Sequence, residues 1–303
     1  MQLGLFGPVG AGAEARVAPA PVDDAVARLA AALPRGLRLG TSSWTFPGWR
    51  GVVYARNAAA RLLAQHGLAA YAQHPLLTAV GLDRTYYAPL AAADFGAYAA
   101  AVPAGFRFVV KAWSEVTSPT TRDRPGLNPR WLDAEAAIDH VIAPAIDGLG
   151  DRLGALVFQF PPQGAGLTRR PTAFADRLGG FLGQLPRGPA YAVELRDAAL
   201  VTRAYADALA RAGARHCFSV HPRMPPLARQ RELVPLDGPV TARWMLGAGL
   251  GYEEAKARYE PFDRLVDPDP GTREGLAALC RDALRLGHDV VVKVNHKAEG
   301  SAP

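Results

Sequence analysis

The segment 289–295 has the sequence DVVVKVN, a short apolar run that ends in polar residues on one side. Side chains of a strand alternate between its two faces, so Val291, Lys293 and Asn295 share one face. A lysine behind valines is costly to bury unless it meets a partner or a ligand. The segment therefore predicts a buried strand whose carboxyl end carries charged, functional side chains.

Seven other segments share this organisation, apolar at the start and polar on one face at the end: Leu37–Thr41, Leu76–Leu82, Arg107–Ala112, Ala155–Phe160, Tyr191–Leu195, Arg215–Val220 and Val240–Trp244. Helical patterns lie before or between the strands, at Val22–Leu33, Ala58–Gln73, Ala91–Ala101, Trp131–Ile146, Pro171–Leu185, Leu200–Ala212 and Thr272–Leu286. Around 221–231 we expect a loop with at most a short helix. Strands that alternate with helices predict a parallel sheet.

Eight such strands favour a closed barrel over an open, doubly wound sheet. The open fold usually has a Gly-rich turn after its first strand, and residues 40–44 lack that pattern. We therefore predict an α/β fold, a single (β/α)₈ TIM barrel over residues 22–303, preceded by a flexible N-terminal arm at 1–21. No helical pattern follows the eighth strand, so the helix at 22–33 is expected to cover the seam in its place.

Composition narrows the class of protein. The net charge of +6 and the pI near 9.5 admit an anionic ligand or nucleic acid, although the arginines are dispersed and no basic run of five exists. Cys217 and Cys280 are too few for a disulfide framework or a Cys-rich metal site. No segment approaches the roughly 20 apolar residues that span a bilayer, and no basic segment precedes an apolar one at the N-terminus. We predict a cytoplasmic protein without membrane contact.

The carboxyl ends of barrel strands form the mouth at which TIM barrels bind and transform their ligands. There the sequence predicts a site with two carboxylates against four cations, which suits a small phosphate-, sulfate- or carboxylate-bearing ligand. Its predicted catalytic members are Glu194 as general acid/base, and Lys111 and Lys293 as groups that stabilise developing negative charge. The predicted substrate-binding members are Thr41, Ser43, Trp44, Asp83, Tyr86, Gln159, Arg196, Arg243 and Asn295.

Several alternatives stay open from the residues alone. The charges could pair only with one another and plug the mouth, or one lysine could form a Schiff base. Asp83, Glu194 and His221 could hold a divalent metal for a phosphoesterase, although no metal or other cofactor is predicted. The same basic mouth could belong to a non-catalytic module that binds nucleic acid or a nucleotide. The aromatic residues of 44–49 and of 86–87 could form a lid or could anchor their loops.

Six ordered motifs resemble the YecE-like family, also called domain of unknown function seventy-two: residues 40–49, 83–87, 106–112, 158–162, 192–196 and 295–300. The similarity covers about residue 37 to the end. It implies a TIM barrel, and its motifs include Thr41, Lys111, Gln159, Glu194, Arg196 and Asn295. The family implies no reaction. The chain departs from it at Gly81 and Asp83, where many members have an acidic residue and an asparagine, and lacks a histidine expected near 243–245.

Overall fold

Eight parallel strands form a closed barrel in the computed structural model, which describes residues 17–121, 126–247 and 249–303. The strands are β1 Leu37–Thr41, β2 Leu77–Leu82, β3 Arg107–Lys111, β4 Leu153–Gln159, β5 Tyr191–Glu194, β6 Arg215–Val220, β7 Val240–Trp244 and β8 Val290–Val294. Each strand pairs with the next in chain order, and β8 pairs with β1 from Leu37 against Val290 to Thr41 against Val294. The predicted (β/α)₈ barrel is confirmed.

Helices connect the strands on the outside of the barrel. They are α1 Asp24–Ala32, α2 Ala60–His66, α3 Leu68–Tyr71, α4 Ala92–Ala100, α5 Ser114–Thr117, α6 Ala134–Ala137, α7 Ala143–Leu149, α8 Ala165–Thr168, α9 Pro171–Leu182, α10 Arg203–Ala212, α11 Leu227–Leu233, α12 Tyr252–Tyr259 and α13 Pro270–Arg285. A π-helical turn, Ile138–Ile142, joins α6 to α7. The sequence did not predict α12 or the single-turn helices α5 and α8.

The sequence of α13 explains why a helix forms there and which face it buries. The Asp269 side chain accepts a hydrogen bond from the Thr272 amide at 2.9 Å and so caps the first turn. Pro270 suits the first turn, because it has no backbone N–H there that would lack a helical partner. Leu276, Leu279 and Ala283 recur at helical spacing and are buried against the barrel. This helix thereby fixes the chain just before β8.

A small apolar layer fills the middle of the barrel. Val109, Val157, Ala192 and Cys217 form a buried cluster on the inner faces of β3 to β6, and Val291 packs against it. Two residues later each of these strands, β8 included, carries a polar or charged side chain of the same parity. The polar residues therefore stand directly above an apolar floor at the carboxyl end.

The N-terminal region differs in part from the prediction. Residues 1–16 of the expected arm lie outside the described residues. Residues 18–20 pair with the segment 53–55, with the Ala20 amide 3.0 Å from the Val53 carbonyl, so this part of the arm packs on the barrel. Helix α1 buries none of its residues. Within the described ranges, no helix is long and apolar enough to cross a membrane.

Candidate functional site

A fully buried carboxylate lies at the centre of the barrel mouth. Glu194, at the end of β5, is 0% exposed, and its two oxygens accept hydrogen bonds from different guanidinium groups. Arg243 donates to Oε2 and Arg196 to Oε1. The Ser219 hydroxyl lies 3.3 Å from Oε1 and itself accepts from Arg196 at 2.8 Å. Both oxygens of this carboxylate are therefore engaged.

A second carboxylate extends these contacts across the mouth. Asp83 Oδ2 lies 3.4 Å from Nη2 of Arg243, and Oδ1 lies 2.6 Å from Nζ of Lys293. Arg243 and Lys293 face each other in the register of β7 and β8, which explains how both reach the same aspartate. We call the connected set Arg196, Glu194, Arg243, Asp83 and Lys293 the charged network.

The cations of the network keep both carboxylates ionised. Burial alone would raise the pKa of Glu194, but Arg196 and Arg243 outweigh it and lower that pKa to about 2. Burial also opposes ionisation of Asp83, yet Lys293 and Arg243 hold its pKa well below the usual range. A carboxylate fixed in this way is a weak base and is unprotonated near neutral pH. The predicted role of Glu194 as general acid/base does not suit this environment.

Lys111, at the end of β3, differs from the other three cations of the mouth. Its Nζ lies 3.9 Å from the centre of the Tyr86 ring, and within the described parts of the chain it forms no ion pair. Burial lowers the pKa of Lys111 to about 7, with Arg243 acting in the same direction and Asp83 and Glu194 opposing. Burial also lowers the pKa of Lys293, but that ammonium pairs with Asp83. Lys111 combines a pKa near 7 with the absence of an ion pair among the described residues.

Gly81 leaves the space that Lys293 occupies. A β-carbon at this position would lie 2.5 Å from Nζ of Lys293 and 2.7 Å from its Cδ. The Lys293 ammonium instead pairs with Asp83, two residues further along β2. The departure from the YecE-like pattern thus has a structural counterpart, since an aspartate at position 83 and a glycine at position 81 together accommodate this lysine.

Thr41 and Trp44 are not at the mouth. Thr41 is buried on the outer face of β1, where its hydroxyl lies 2.9 Å from the Tyr71 hydroxyl. Trp44 is 5% exposed and donates its indole N–H to the Leu63 carbonyl at 3.0 Å. In the first strand the inward-facing position is Gly40, and the next inward-facing position is Ser42, just after the strand. Both predicted residues therefore have structural contacts.

The remaining predicted residues lie at the ends of their strands with different partners. Ser43 is half-buried and its hydroxyl lies 3.1 Å from that of Thr45. Asn295 donates to the Ser42 hydroxyl at 3.2 Å and accepts from the backbone of the following turn. Gln159 faces Glu194 in the register of β4 and β5, and its amide has no hydrogen-bond partner among the described residues. Gln159 is thus available to a ligand.

Two further residues belong to the mouth. Ser219 connects Arg196 to Glu194, and His221 follows it on the same parity after β6. Both lie at the polar end of the sixth strand, but the sequence considered His221 only as a possible metal ligand and did not include Ser219 in the predicted site. Across residues 17–121, 126–247 and 249–303, no three His, Cys, Asp or Glu side chains are grouped to hold a metal ion. The set Asp83, Glu194 and His221 is therefore not such a group.

Comparison with known families agrees with this architecture. A family model described as "Protein of unknown function DUF72" matches residues 38–303. The chain belongs to the DUF72 family. YecE-like is another name for the same family, so the predicted resemblance is confirmed. A comparison with functionally curated proteins gave no significant match.

Crystal structures of two DUF72 family proteins are similar to this DUF72 chain. One, from Enterococcus faecalis V583, is 17% identical with a TM-score of 0.53 and covers 87% of this chain and 91% of its own. The other, from Thermotoga maritima MSB8, is 21% identical with a TM-score of 0.53 and covers 88% and 94%. At these identities the similarity supports the barrel fold and nothing finer.

Proposed function

We propose that this DUF72 protein is an enzyme that binds a small anionic substrate at the barrel mouth, with Lys111 as its acid/base group. The observation that carries the proposal is the contrast between Lys111 and its neighbours. Arg196, Arg243 and Lys293 all form ion pairs with network carboxylates, whereas Lys111 contacts an aromatic ring. A cation that has no carboxylate partner among the described residues and lies beside a fixed network is suited to receive an anion.

The charge balance of the mouth supports an anionic substrate. Four cations face two carboxylates, an excess of two positive charges when Lys111 is protonated. The apolar layer below the network excludes water from that side, so these charges are screened less than surface charges. An anion that reaches Lys111 would therefore be held strongly, and its pKa near 7 would let the amine accept or donate a proton at neutral pH.

The other residues take supporting roles in this proposal. Glu194 and Asp83 hold the guanidinium and ammonium groups in place, and are positioning residues. Arg243 and Lys293 contribute positive potential toward charge that develops during the reaction. Gln159, whose amide has no hydrogen-bond partner among the described residues, would orient a substrate hydroxyl. Both cysteines are free, which suits work in the reducing cytoplasm.

Binding of sulfate tests the anion site, because sulfate does not titrate near neutral pH. We expect calorimetry to show sulfate binding that weakens as the pH rises through about 7, since Lys111 then loses its charge. Lys111→Met should weaken binding by about tenfold or more. Lys256→Met, on an exposed surface of α12, is the matched control and should leave affinity unchanged. Equal binding by the wild type and Lys111→Met would contradict the proposal.

Turnover requires a separate measurement. A mixture of phosphorylated sugars and nucleotide fragments incubated with the protein should show a change in the NMR spectrum of at least one compound. Lys111→Arg keeps the positive charge but cannot release a proton near neutral pH. This variant should retain sulfate binding and lose turnover, whereas Lys111→Met should lose both. Unchanged turnover in Lys111→Arg would remove the acid/base role.

A non-catalytic nucleic-acid module is the second candidate. Tyr87, in the connection after β2, and Tyr252, at the start of α12, are 76% and 60% exposed. Exposed rings beside cations stack on bases of single strands. Binding to an oligonucleotide that weakens steeply with salt, together with the absence of turnover, would favour this candidate. Loss of that binding in Tyr87→Ala would place the strand at the mouth.

A further inference from the structure

An apolar groove lies at the same end of the barrel as the charged network. It has a volume of about 700 Å³ and runs between the loops that follow β6 and β7, reaching the start of α13. Met224, Pro225, Pro226, Leu227 and Leu246 contribute its apolar walls. The volume falls within the range of pockets that hold small organic ligands, roughly 300–1,000 Å³. The proposed function does not use this space.

The polar groups of the groove are mostly satisfied. Asp269 accepts hydrogen bonds from the Thr272 amide at 2.9 Å and from the Thr272 hydroxyl at 2.7 Å. The polar groups of these two residues are therefore already paired with each other. His221 is the exception. Its Nδ1 accepts from the Arg223 amide at 3.1 Å, which in the neutral ring leaves the proton on Nε2 as a donor. Burial, reinforced by Arg196, lowers the pKa of His221 to about 4, so the ring is neutral near pH 7.

The groove and the charged network share strand β6. Ser219 bonds to both Arg196 and Glu194, while the next two residues, Val220 and His221, line the groove. His221 also lies on the same strand face as Ser219, two residues before it. An extended molecule could therefore have one end at the network and the other in the groove.

We propose that the substrate is an amphipathic anion whose charged group meets Lys111 and Arg196 and whose flat apolar body fills this groove. The inference rests on the proposed anion site and narrows its substrate class. A bare phosphosugar fits poorly, because its hydroxyls would lose water against proline, methionine and leucine walls without new partners. An aromatic body would bury apolar surface there, with the His221 N–H as its single directional contact.

Two sulfate monoesters of equal charge provide the test. Methyl sulfate and phenyl sulfate carry the same anionic group, so their difference in affinity measures the apolar body alone. We expect phenyl sulfate to bind about tenfold or more tightly than methyl sulfate to the wild type. Ala228→Trp, at an exposed position in the groove wall, should abolish this preference and leave methyl sulfate binding intact. Ala31→Trp, on the exposed face of α1, is the matched control and should retain the preference.

A spectroscopic readout keeps the proposal testable if the tryptophan points away from the groove. The chain has three methionines, so ¹³C-methyl methionine spectra are simple to assign with Met224→Leu. The ring current of phenyl sulfate should shift the Met224 methyl signal, and methyl sulfate should not. Equal affinities for the two esters and an unchanged Met224 signal would overturn the proposed role of the groove and leave the proposed anion site in place. No binding of either ester would overturn both.

Discussion

Replacing Arg243 by methionine should destabilise the protein strongly, because this side chain joins both carboxylates of the charged network. Arg243 is 0% exposed and contacts Glu194 and Asp83. Methionine fills much of the same volume but leaves Glu194, also 0% exposed, with Arg196 as its remaining ion-pair partner. Removing one partner of a buried ion pair costs about 3–5 kcal/mol, since the other charge stays buried.

The cost converts into a melting temperature. Unfolding entropies of about 2 cal/mol/K per residue give roughly 0.6 kcal/mol/K for a chain of this length, so Tm should fall by about 5–8 °C. Equilibrium denaturation in urea measures the free energy directly. Arg203→Met is the control, because Arg203 forms an exposed pair with Asp207 at 3.3 Å and such pairs contribute about 0–1 kcal/mol.

The pH dependence separates charge from packing in this experiment. In Arg243→Met the pKa of Glu194 rises toward its ordinary value, because one of its cations is gone. The stability difference between wild type and variant should therefore be largest at neutral pH and shrink below about pH 4, where the variant takes up a proton first. Adding Glu194→Gln to Arg243→Met should recover part of the loss. A loss below about 1 kcal/mol, or one independent of pH, would refute the electrostatic account.

Three further predictions follow from contacts and pKa values. Gly40→Ala should cost about 1–3 kcal/mol or more in urea denaturation, because a β-carbon there would lie 2.1 Å from the Ala79 carbonyl oxygen; unchanged stability would show that the strands separate easily. Treatment with dilute acetic anhydride near pH 7 should acetylate Lys111 before the exposed Lys256, as followed by mass spectrometry. The lowered pKa of Lys111 leaves more of its amine neutral and reactive. The reverse order would contradict that pKa. In acid, the wild type should retain the stability from Glu194 above its unfolded pKa of about 4 and lose it as pH falls toward about 2; loss already near pH 6 would place that stability elsewhere.

Strand positions were predictable because buried parallel strands are nearly continuous apolar runs. The predicted Arg215–Val220 and Val240–Trp244 agree with the structure to the residue, while β4 begins at Leu153, two residues earlier than predicted. Helix Tyr252–Tyr259 was missed because its buried side chains are Ala255 and Tyr259 alone, which is too short a pattern to detect. The local pattern of apolar residues thus predicted most of the fold.

The members of the site were predictable in part, and their pairing was not. Strand parity placed Lys111, Glu194, Arg243 and Lys293 on inner faces, as the structure has them. It could not tell which carboxylate meets which cation, because Arg243 reaches Asp83 from across the barrel. The prediction also placed Thr41 at the mouth. In β1 the inward-facing positions are Gly40 and Ser42, so Thr41 lies on the outer face. The contact of two guanidinium groups with the Glu194 carboxylate could not be predicted either, because the three side chains come together only in the folded barrel.

The sequence left two alternatives for the charges of the mouth: they pair only with one another, or they bind a ligand. In this arrangement the two roles are compatible. Glu194 and Asp83 neutralise much of the charge of Arg196, Arg243 and Lys293, which is what allows these side chains to be buried at all. Charges held by such contacts keep their positions when a ligand arrives, so they contribute potential without reorganising. Lys111 then adds the one cation of the mouth that is not held in an ion pair with a described carboxylate. Under the proposed function, a substrate anion would therefore not have to break the network in order to bind, and the network's stability would be a condition for the proposed chemistry at Lys111.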